Sequence, residues 1–270
     1  MIQIDQSRCI GCGLCVSDCF PGALTLEHHQ AALTAPGNCI GCGHCIAVCP
    51  KNALTEDRLP MDDVQPVGAP VAPEALLSMM RSRRSCRHYQ KEPVPEALLQ
   101  AIIGAARACP TAKNLQGTRY IAVTEGIPAL LDEALRTLEA LGRTQRETTE
   151  DPGEKRRAEN FIRWAAQHRE DSNFDPLFFG APLLLLFVSE TQNARDAAAA
   201  AAYGELMAAS QGLGCLYSGY FTACAGISRE IPKLLGLRAH ETVVRCLVLG
   251  YPNIKFQRTA PRKAPDITRL

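Results

Sequence analysis

The hydrophobic pattern of this 270-residue chain changes character near residue 73. Beyond that point, apolar residues recur at spacings of three and four over 74–81 and 96–108, and predict helices. In the second, Leu98, Leu99, Ile102, Ile103 and Ala106 form the stripe. Residues 127–141, the charged stretch 154–169, the alanine-rich 194–211 and 228–235 predict further helices. The run Ala197 to Ala202 looks low in complexity, but alanine is the best helix former and permits close packing, so a buried helix is the reading. Strands are predicted at 120–123, at 183–188 (a buried one), at 213–217 and at 243–250. Between 57 and 73, Pro60, Pro66, Pro70 and Pro73 interrupt any helical or strand period, which predicts a semi-extended linker. The organisation that follows is a small domain over 1–56, a linker over 57–73 and an α+β domain over 74–270.

Composition narrows the function classes. Hydrophobic residues are 46% and charged residues 21%, close to globular averages. A net charge of +1 and the lack of a Lys/Arg-rich tail argue against a nucleic-acid binder. The longest apolar run, 178–188, is about half the roughly 20 residues of a membrane helix. The acidic start, Met1-Ile2-Gln3-Ile4-Asp5, reaches Cys9 without the apolar core of a signal peptide. A cytoplasmic chain with no membrane partner is expected.

Cysteine is the outlier: 13 in the chain, eight of them before residue 50. Cys9, Cys12, Cys15 and Cys19 follow C-x2-C-x2-C-x3-C, and Cys39, Cys42, Cys45 and Cys49 repeat it, with Pro50 next. Cys9-Ile10-Gly11-Cys12-Gly13 recurs as Cys39-Ile40-Gly41-Cys42-Gly43, and Ala23-Leu24-Thr25 as Ala53-Leu54-Thr55, at a period of thirty. Internal duplication is the simplest account. Disulfides would need an oxidising compartment. Zinc commonly uses paired C-x2-C knuckles well apart in sequence, unlike three cysteines on one tight loop followed by a fourth. Three thiolates at this spacing wrap three corners of an iron–sulfur cube, and the fourth cysteine of each run ligates the other cluster. One [4Fe–4S] cluster is therefore assigned to Cys9, Cys12, Cys15 and Cys49, the other to Cys39, Cys42, Cys45 and Cys19. Residues 1–56 resemble a bacterial-type two-cluster ferredoxin. One departure is Cys19-Phe20-Pro21, where the proline is displaced by one from the usual Cys-Pro. His44, inside the second run, is read as an exposed filler.

The second domain carries scattered signals. Arg81-Ser82-Arg83-Arg84-Ser85-Cys86-Arg87 suits an anion such as phosphate, against the alternative of a solvated basic turn. Cys109-Pro110-Thr111-Ala112-Lys113-Asn114-Leu115-Gln116 is a polar loop whose amides suit a heterocycle edge. Gly212-Leu213-Gly214 and Ser218-Gly219 bracket a short strand where backbone could face a flat ligand. Gly250-Tyr251-Pro252 leads into a tail with Arg258, Arg262 and Lys263.

Together and in this order these motifs resemble the nitroreductase family of FMN-dependent oxidoreductases, over about 74–270. The resemblance implies a homodimer, an α+β sandwich per subunit and FMN at the interface. On it, Arg83 and Ser85, with Arg84 nearby, hold the phosphate and ribityl chain, Arg87 lies beside the flavin pyrimidine, and Arg262 and Lys263 close the phosphate pocket. Pro110, Thr111, Asn114 and Gln116 come from the neighbouring subunit, and the backbone of Ser218 and Gly219 faces the middle ring. Gly-Leu-Gly is expected ahead of a central strand. Gly117-Thr118 replace the family's proline and aromatic. No side chain is nominated as catalytic, because the flavin performs the organic chemistry. The implied activity passes electrons between two clusters and FMN and reduces a small acceptor: a nitroaromatic, a quinone or an enone. NAD(P)H is an alternative reductant, and a redox protein an alternative donor. Two other readings stay open: an electron-transfer module without small-molecule turnover, and a flavoenzyme dedicated to one metabolite. Cys86, Cys109, Cys215, Cys224 and Cys246 read as small core residues, and His88, His168 and His240 as ordinary ones. The stretch 142–177, carrying Trp164, resembles an insertion: a flavin lid, a contact for the ferredoxin domain, or dimer padding.

Overall fold

The computed structural model describes all 270 residues, which divide into two units: Met1–Pro70 with Thr111–Leu115, and Val71–Pro110 with Gln116–Leu270.

In the first unit the duplication becomes a pseudo-twofold. Strand β1 (Ile2–Ile4), helix α1 (Leu14–Ser17), β2 (Leu24–Glu27), β3 (Gln30–Leu33), helix α2 (His44–Val48) and β4 (Leu54–Glu56) follow in order. Strand β1 pairs antiparallel with β4, Ile2 opposite Glu56, and β2 pairs with β3, Leu24 opposite Leu33. Helices of four and five residues are too short to stand alone and are held by burial of Ile2, Leu24, Ala31, Ala53 and Leu54 among the cysteines. Gly13 and Gly43 precede the two helices at φ of 76° and 73°, a left-handed turn that suits glycine. Asn114, in the segment that clusters with this unit, donates through Nδ2 to the Gly41 carbonyl at 2.8 Å.

The second unit runs α3 (Pro73–Ser82), α4 (Glu96–Arg107), β5 (Arg119–Val123), α5 (Ile127–Thr148), α6 (Pro152–Glu170), β6 (Leu183–Glu190), α7 (Ala194–Ser210), β7 (Gly214–Tyr217), α8 (Gly219–Ile227), α9 (Glu230–Leu234) and β8 (Glu241–Gly250). The strands form one antiparallel sheet in the order β5-β6-β8-β7. Period-two alternation sorts β6 onto two faces. Leu184, Leu186 and Val188 pack with α5, α6 and α8 through Leu135, Leu138, Phe161 and Phe221, while Leu183, Leu185 and Phe187 pack with α4 and α7 through Ile102, Ala201 and Ala208. Helices on both faces leave β6 no polar side, which is why its sequence is a continuous apolar run.

Three expectations need amendment. Helix α5 continues past 141 to Thr148, and the insertion is a helical hairpin with α6, capped by Asp151 accepting from the Glu154 amide at 2.8 Å. Helix α8 is an element the pattern does not announce, because it is apolar nearly all round; the predicted helix 228–235 shrinks to the single turn α9. Strand β7, which Gly-Leu-Gly was expected to place centrally, is an edge of the sheet. No helix is long and apolar enough to cross a membrane.

Candidate functional site

Two cavities in the first unit divide the eight cysteines. One is lined by Cys9, Cys12, Cys15 and Cys49, the other by Cys39, Cys42, Cys45 and Cys19. Each takes three sulfurs from one run and the fourth from the other. Helix α1 delivers Cys15 and then, past its C-terminus, sends Cys19 to the opposite cavity; α2 does the same with Cys45 and Cys49. The amides of Ala23 and Ala53 each donate to the fourth cysteine four residues back, Cys19 and Cys49, at 3.3 Å. A donor set of four soft sulfurs with amides turned to them fits an iron–sulfur cube. Burial pushes the Cys45 thiol up to about 11 and that of Cys15 upward, so these sulfurs carry charge readily only against a bound cation.

In the second unit, two cavities lie along the same pair of segments, residues 82–87 and 214–220. The segments are joined by the Cys86 amide donating to the Cys215 carbonyl at 2.9 Å, within a parallel bridge of Ser85 to Cys215. Gly214 makes this approach possible: a Cβ there would stand 2.7 Å from Cys86 Sγ. At one end, Ser82, Arg83, Arg84, Gly212 and Gly214 line a space of about 630 Å³. Arg83 there has a buried Nε without a partner, and its Nη1 donates to the buried carboxylate of Glu205 on α7 at 2.5 Å. At the other end, Arg87, Trp164, Phe179, Leu216, Tyr217, Ser218, Gly219 and Tyr220 are among the residues lining an apolar and aromatic space of about 1360 Å³. The Trp164 and Tyr220 rings meet edge to face with centroids 5.6 Å apart, and Phe161 stands behind both. Asp175 secures the loop along this wall by accepting from the amides of Leu177, Phe178 and Gly180 at 2.7–3.0 Å.

The residues singled out from sequence are distributed unevenly. Arg83 and Arg84 line the first space, Arg87, Ser218 and Gly219 the second, and exposed Ser85 lies on the strip between them. Ser218 is buried and its hydroxyl donates to the Leu177 carbonyl at 3.1 Å, so only its backbone is in question as a ligand. Pro110, Thr111, Asn114 and Gln116 line neither space. Nor do Arg262 and Lys263, which are exposed; Ile254 and Phe256 of the same tail reach the first space instead. The five later cysteines are all buried, as small core residues should be. His168 is more than ordinary padding: its ring spans Asp132 at 2.9 Å and the Phe174 carbonyl at 2.7 Å, tying α6 to α5. His44 stands exposed beside Asp18 at 3.1 Å.

Residues 80–251 match the nitroreductase family, and residues 8–55 match the 4Fe-4S dicluster domain. The chain belongs to the nitroreductase family. It is an oxidoreductase that carries an N-terminal ferredoxin domain in front of a nitroreductase-like α+β domain. A 4-nitrobenzoate reductase from a Nocardioides strain is 30% identical over 219 residues, 71% of this chain and 86% of that protein. A nitroreductase with bound FMN from Desulfitobacterium hafniense is 25% identical, with a TM-score of 0.51 over 72% of this chain and 97% of its own. Another with bound FMN, from Bacteroides fragilis, shares the fold at 21% identity and a TM-score of 0.54, over 72% of this chain and 98% of its own.

Two residues of the nitroreductase part, Glu205 and Tyr220, escaped sequence reasoning, whereas Trp164 is marked within the insertion, with a flavin lid as one of its readings. Glu205 left a trace, as a lone acid far from the ends of an otherwise alanine-rich helix. Tyr220 left none, because the insertion has to fold before its ring meets that of Trp164, 56 positions away.

Proposed function

We propose that the chain binds FMN along the 82–87 and 214–220 strip and two [4Fe–4S] clusters in the first unit, and uses them to reduce a small planar acceptor of the nitroaromatic, quinone or enone type. The observation that carries the flavin half is the polarity of the strip: a cationic, hydroxyl-bearing space at one end and an aromatic one at the other, along one β edge. A ligand with a phosphate at one end and a flat ring at the other matches it. Bound FMN exchanges electrons singly or in pairs, whereas each cluster passes one at a time.

The chain's own residues bind, orient and exclude water. Arg83, with a donor to spare, takes the phosphate together with Arg84 and Ser85, and Glu205 holds the Arg83 fork in place. Arg87 brings a positive charge to the ring end, which favours a ring that gains negative charge on reduction. The first-turn amides of α8, at Gly219 and Tyr220, point donors toward the same end. Trp164 and Tyr220 offer a stacking wall for an aromatic acceptor. Pro110, Thr111, Asn114 and Gln116 serve a second copy of the chain in a homodimer, and Arg262 and Lys263 close over the phosphate. NAD(P)H or a redox protein supplies the electrons.

The test is anaerobic purification with cofactor analysis. About eight iron, eight acid-labile sulfide and one FMN per chain are expected, with turnover of a nitroarene such as 4-nitrobenzoate. Arg83→Ala should retain the iron and weaken FMN at least tenfold, from the loss of a charge-assisted hydrogen bond of about 1.5–3 kcal/mol. Zinc, four irons or a flavin-free chain would overturn the reading. A fully loaded protein that turns over no small acceptor would make it an electron carrier.

A further inference from the structure

The two cysteine cavities are close copies, so a departure between them is informative. In the first, the Ala31 amide donates to Cys9 Sγ at 3.4 Å and the Ala53 amide to Cys49 Sγ at 3.3 Å. In the second, the Ala23 amide donates to Cys19 Sγ at 3.3 Å, but the sulfur equivalent to Cys9, that of Cys39, takes its contact from a guanidinium: Arg58 Nη2 at 3.5 Å. The strand registers place Ala31 where Ile2 stands in the twin, since Leu26 faces Ala31 as Glu56 faces Ile2, and at Cys39 it is Arg58 rather than that strand's amide that meets the sulfur. One cluster site thus has two neutral amides on its sulfurs, and the other has one amide and one cation.

The cation is held by design of the local chain. Arg58 follows β4 by two residues, and Glu56, its side chain almost wholly buried, takes Nε and Nη2 at 2.7 Å each as a bidentate fork and the Arg58 amide at 3.1 Å. The remaining Nη2 hydrogen faces Cys39. Gly41 clears the way, since a Cβ there would stand 3.1 Å from Nη2. At the equivalent Gly11 the same space is filled by the His29 carbonyl, 1.9 Å from a built Cβ, so each glycine is needed for a different neighbour. Asn114 adds a second asymmetry on the same loop through the Gly41 carbonyl, between Cys39 and Cys42.

Hydrogen bonds to the sulfurs and nearby charge are the levers that set a cluster's potential, and both favour the more negative, reduced state. We propose that Arg58, clamped by Glu56, raises the potential of the cluster held by Cys39, Cys42, Cys45 and Cys19 above that of its twin, so that a single electron entering the first unit rests on the Cys39 side. Arg58 acts as a positioning residue for electron distribution. The inference rests on the assignment of the eight cysteines as cluster ligands.

The test is an EPR-monitored redox titration of the anaerobically purified full chain and its Arg58→Gln variant. Cys39→Ser, which alters the signature of the cluster it ligates, tells the two transitions apart. Arg58→Gln should lower the reduction equilibrium of the Cys39 cluster about tenfold, which for one electron is about 59 mV, and leave the other cluster within twofold. Arg58→Gln leaves the buried Glu56 carboxylate with the Met1 ammonium as its one charged partner, so the double variant with Glu56→Gln is titrated in parallel and should show the same selective shift. Equal shifts in both clusters, a shift confined to the Cys9 cluster, or unshifted potentials in a variant that retains its iron would overturn the proposal. Wild-type protein with fewer than eight irons would instead sink the ligand assignment, so the two failures are distinguishable.

Discussion

Gly142 sits within α5 where that helix crosses α6, and its replacement by alanine sets two effects against each other. Alanine is a better helix former than glycine by about 1 kcal/mol, so on propensity alone the change stabilises. The crossing opposes it. A Cβ at Gly142 would lie 2.6 Å from the Ala158 carbonyl oxygen, 3.1 Å from Phe161 Cβ and 3.2 Å from Ile162 Cγ1. Carbon–oxygen contacts of this kind are comfortable at roughly 3.3–3.6 Å, so α6 must retreat by about 0.7 Å, and overpacking of this kind costs about 1–3 kcal/mol. The crossing should win by about 1 kcal/mol, and a domain of this size should lose about 2–4 °C in Tm. Gly104 in α4 is the control. A Cβ there meets nothing within 4 Å, so Gly104→Ala should raise Tm by a similar amount. Thermal melts by far-UV circular dichroism measure both. The single tryptophan, Trp164, lies on α6, so its emission should shift in Gly142→Ala and not in Gly104→Ala. If Gly142→Ala stabilises as Gly104→Ala does, with unchanged emission, the close crossing of α5 and α6 is wrong.

The remaining predictions are shorter. Cys19→Ala should erase the EPR signal of the cluster bound by Cys39, Cys42 and Cys45 and halve the iron to about four, while the Cys9 cluster persists; loss confined to the Cys9 cluster would refute the crossed ligation. Burial pushes the Cys224 thiol up to about 12, so about 10⁻⁴ of it is thiolate at pH 8, against about a quarter of a free thiol. Iodoacetamide followed by mass spectrometry should leave Cys224 unlabelled in native protein, and rapid labelling would contradict its burial. The Arg119 guanidinium, which bonds Glu241 at 2.6 and 3.0 Å, holds that carboxyl below its ordinary value of 4.5. A depressed carboxylate stabilises the fold above its unfolded pKa, and this is lost as pH falls through the lower folded value. Wild-type Tm should therefore drop more steeply below pH 4.5 than that of Glu241→Gln, and parallel curves would remove the pair from the stability of the sheet.

How much was legible depends on how far apart the interacting residues lie. The cluster half was readable because its information is local: cysteines at fixed short spacings, glycines that permit the left-handed turns at Gly13 and Gly43, and a period of thirty that pairs each run with its twin. Most long helices and strands of the second unit were legible for the same reason, since a 3.6-residue or two-residue period is written within one element. The arginine and serine cluster at 82–87 announced anion chemistry by residue type alone. What the sequence could not settle are the pairings that cross the fold. Helix α8 has no polar face to betray its period: Phe221, Cys224 and Ala225 are buried, and the residues it exposes, such as Tyr220, Ala223 and Ile227, are apolar or aromatic too. β7 lies at the sheet edge because β8 pairs with both β6 and β7, a choice of partner that no single strand encodes. Glu205 reaches Arg83 across 122 positions and Trp164 reaches Tyr220 across 56, contacts that exist only once α6 and α7 have docked. Arg58 is the sharpest case: nothing in a lone arginine after a short strand marks it, and only the fold that buries Glu56 beside the second cavity clamps the guanidinium where it meets Cys39. Residue types and short periods determined the chemistry available; tertiary packing decided which groups meet, because burial and hydrogen bonding act between residues that the chain itself keeps apart.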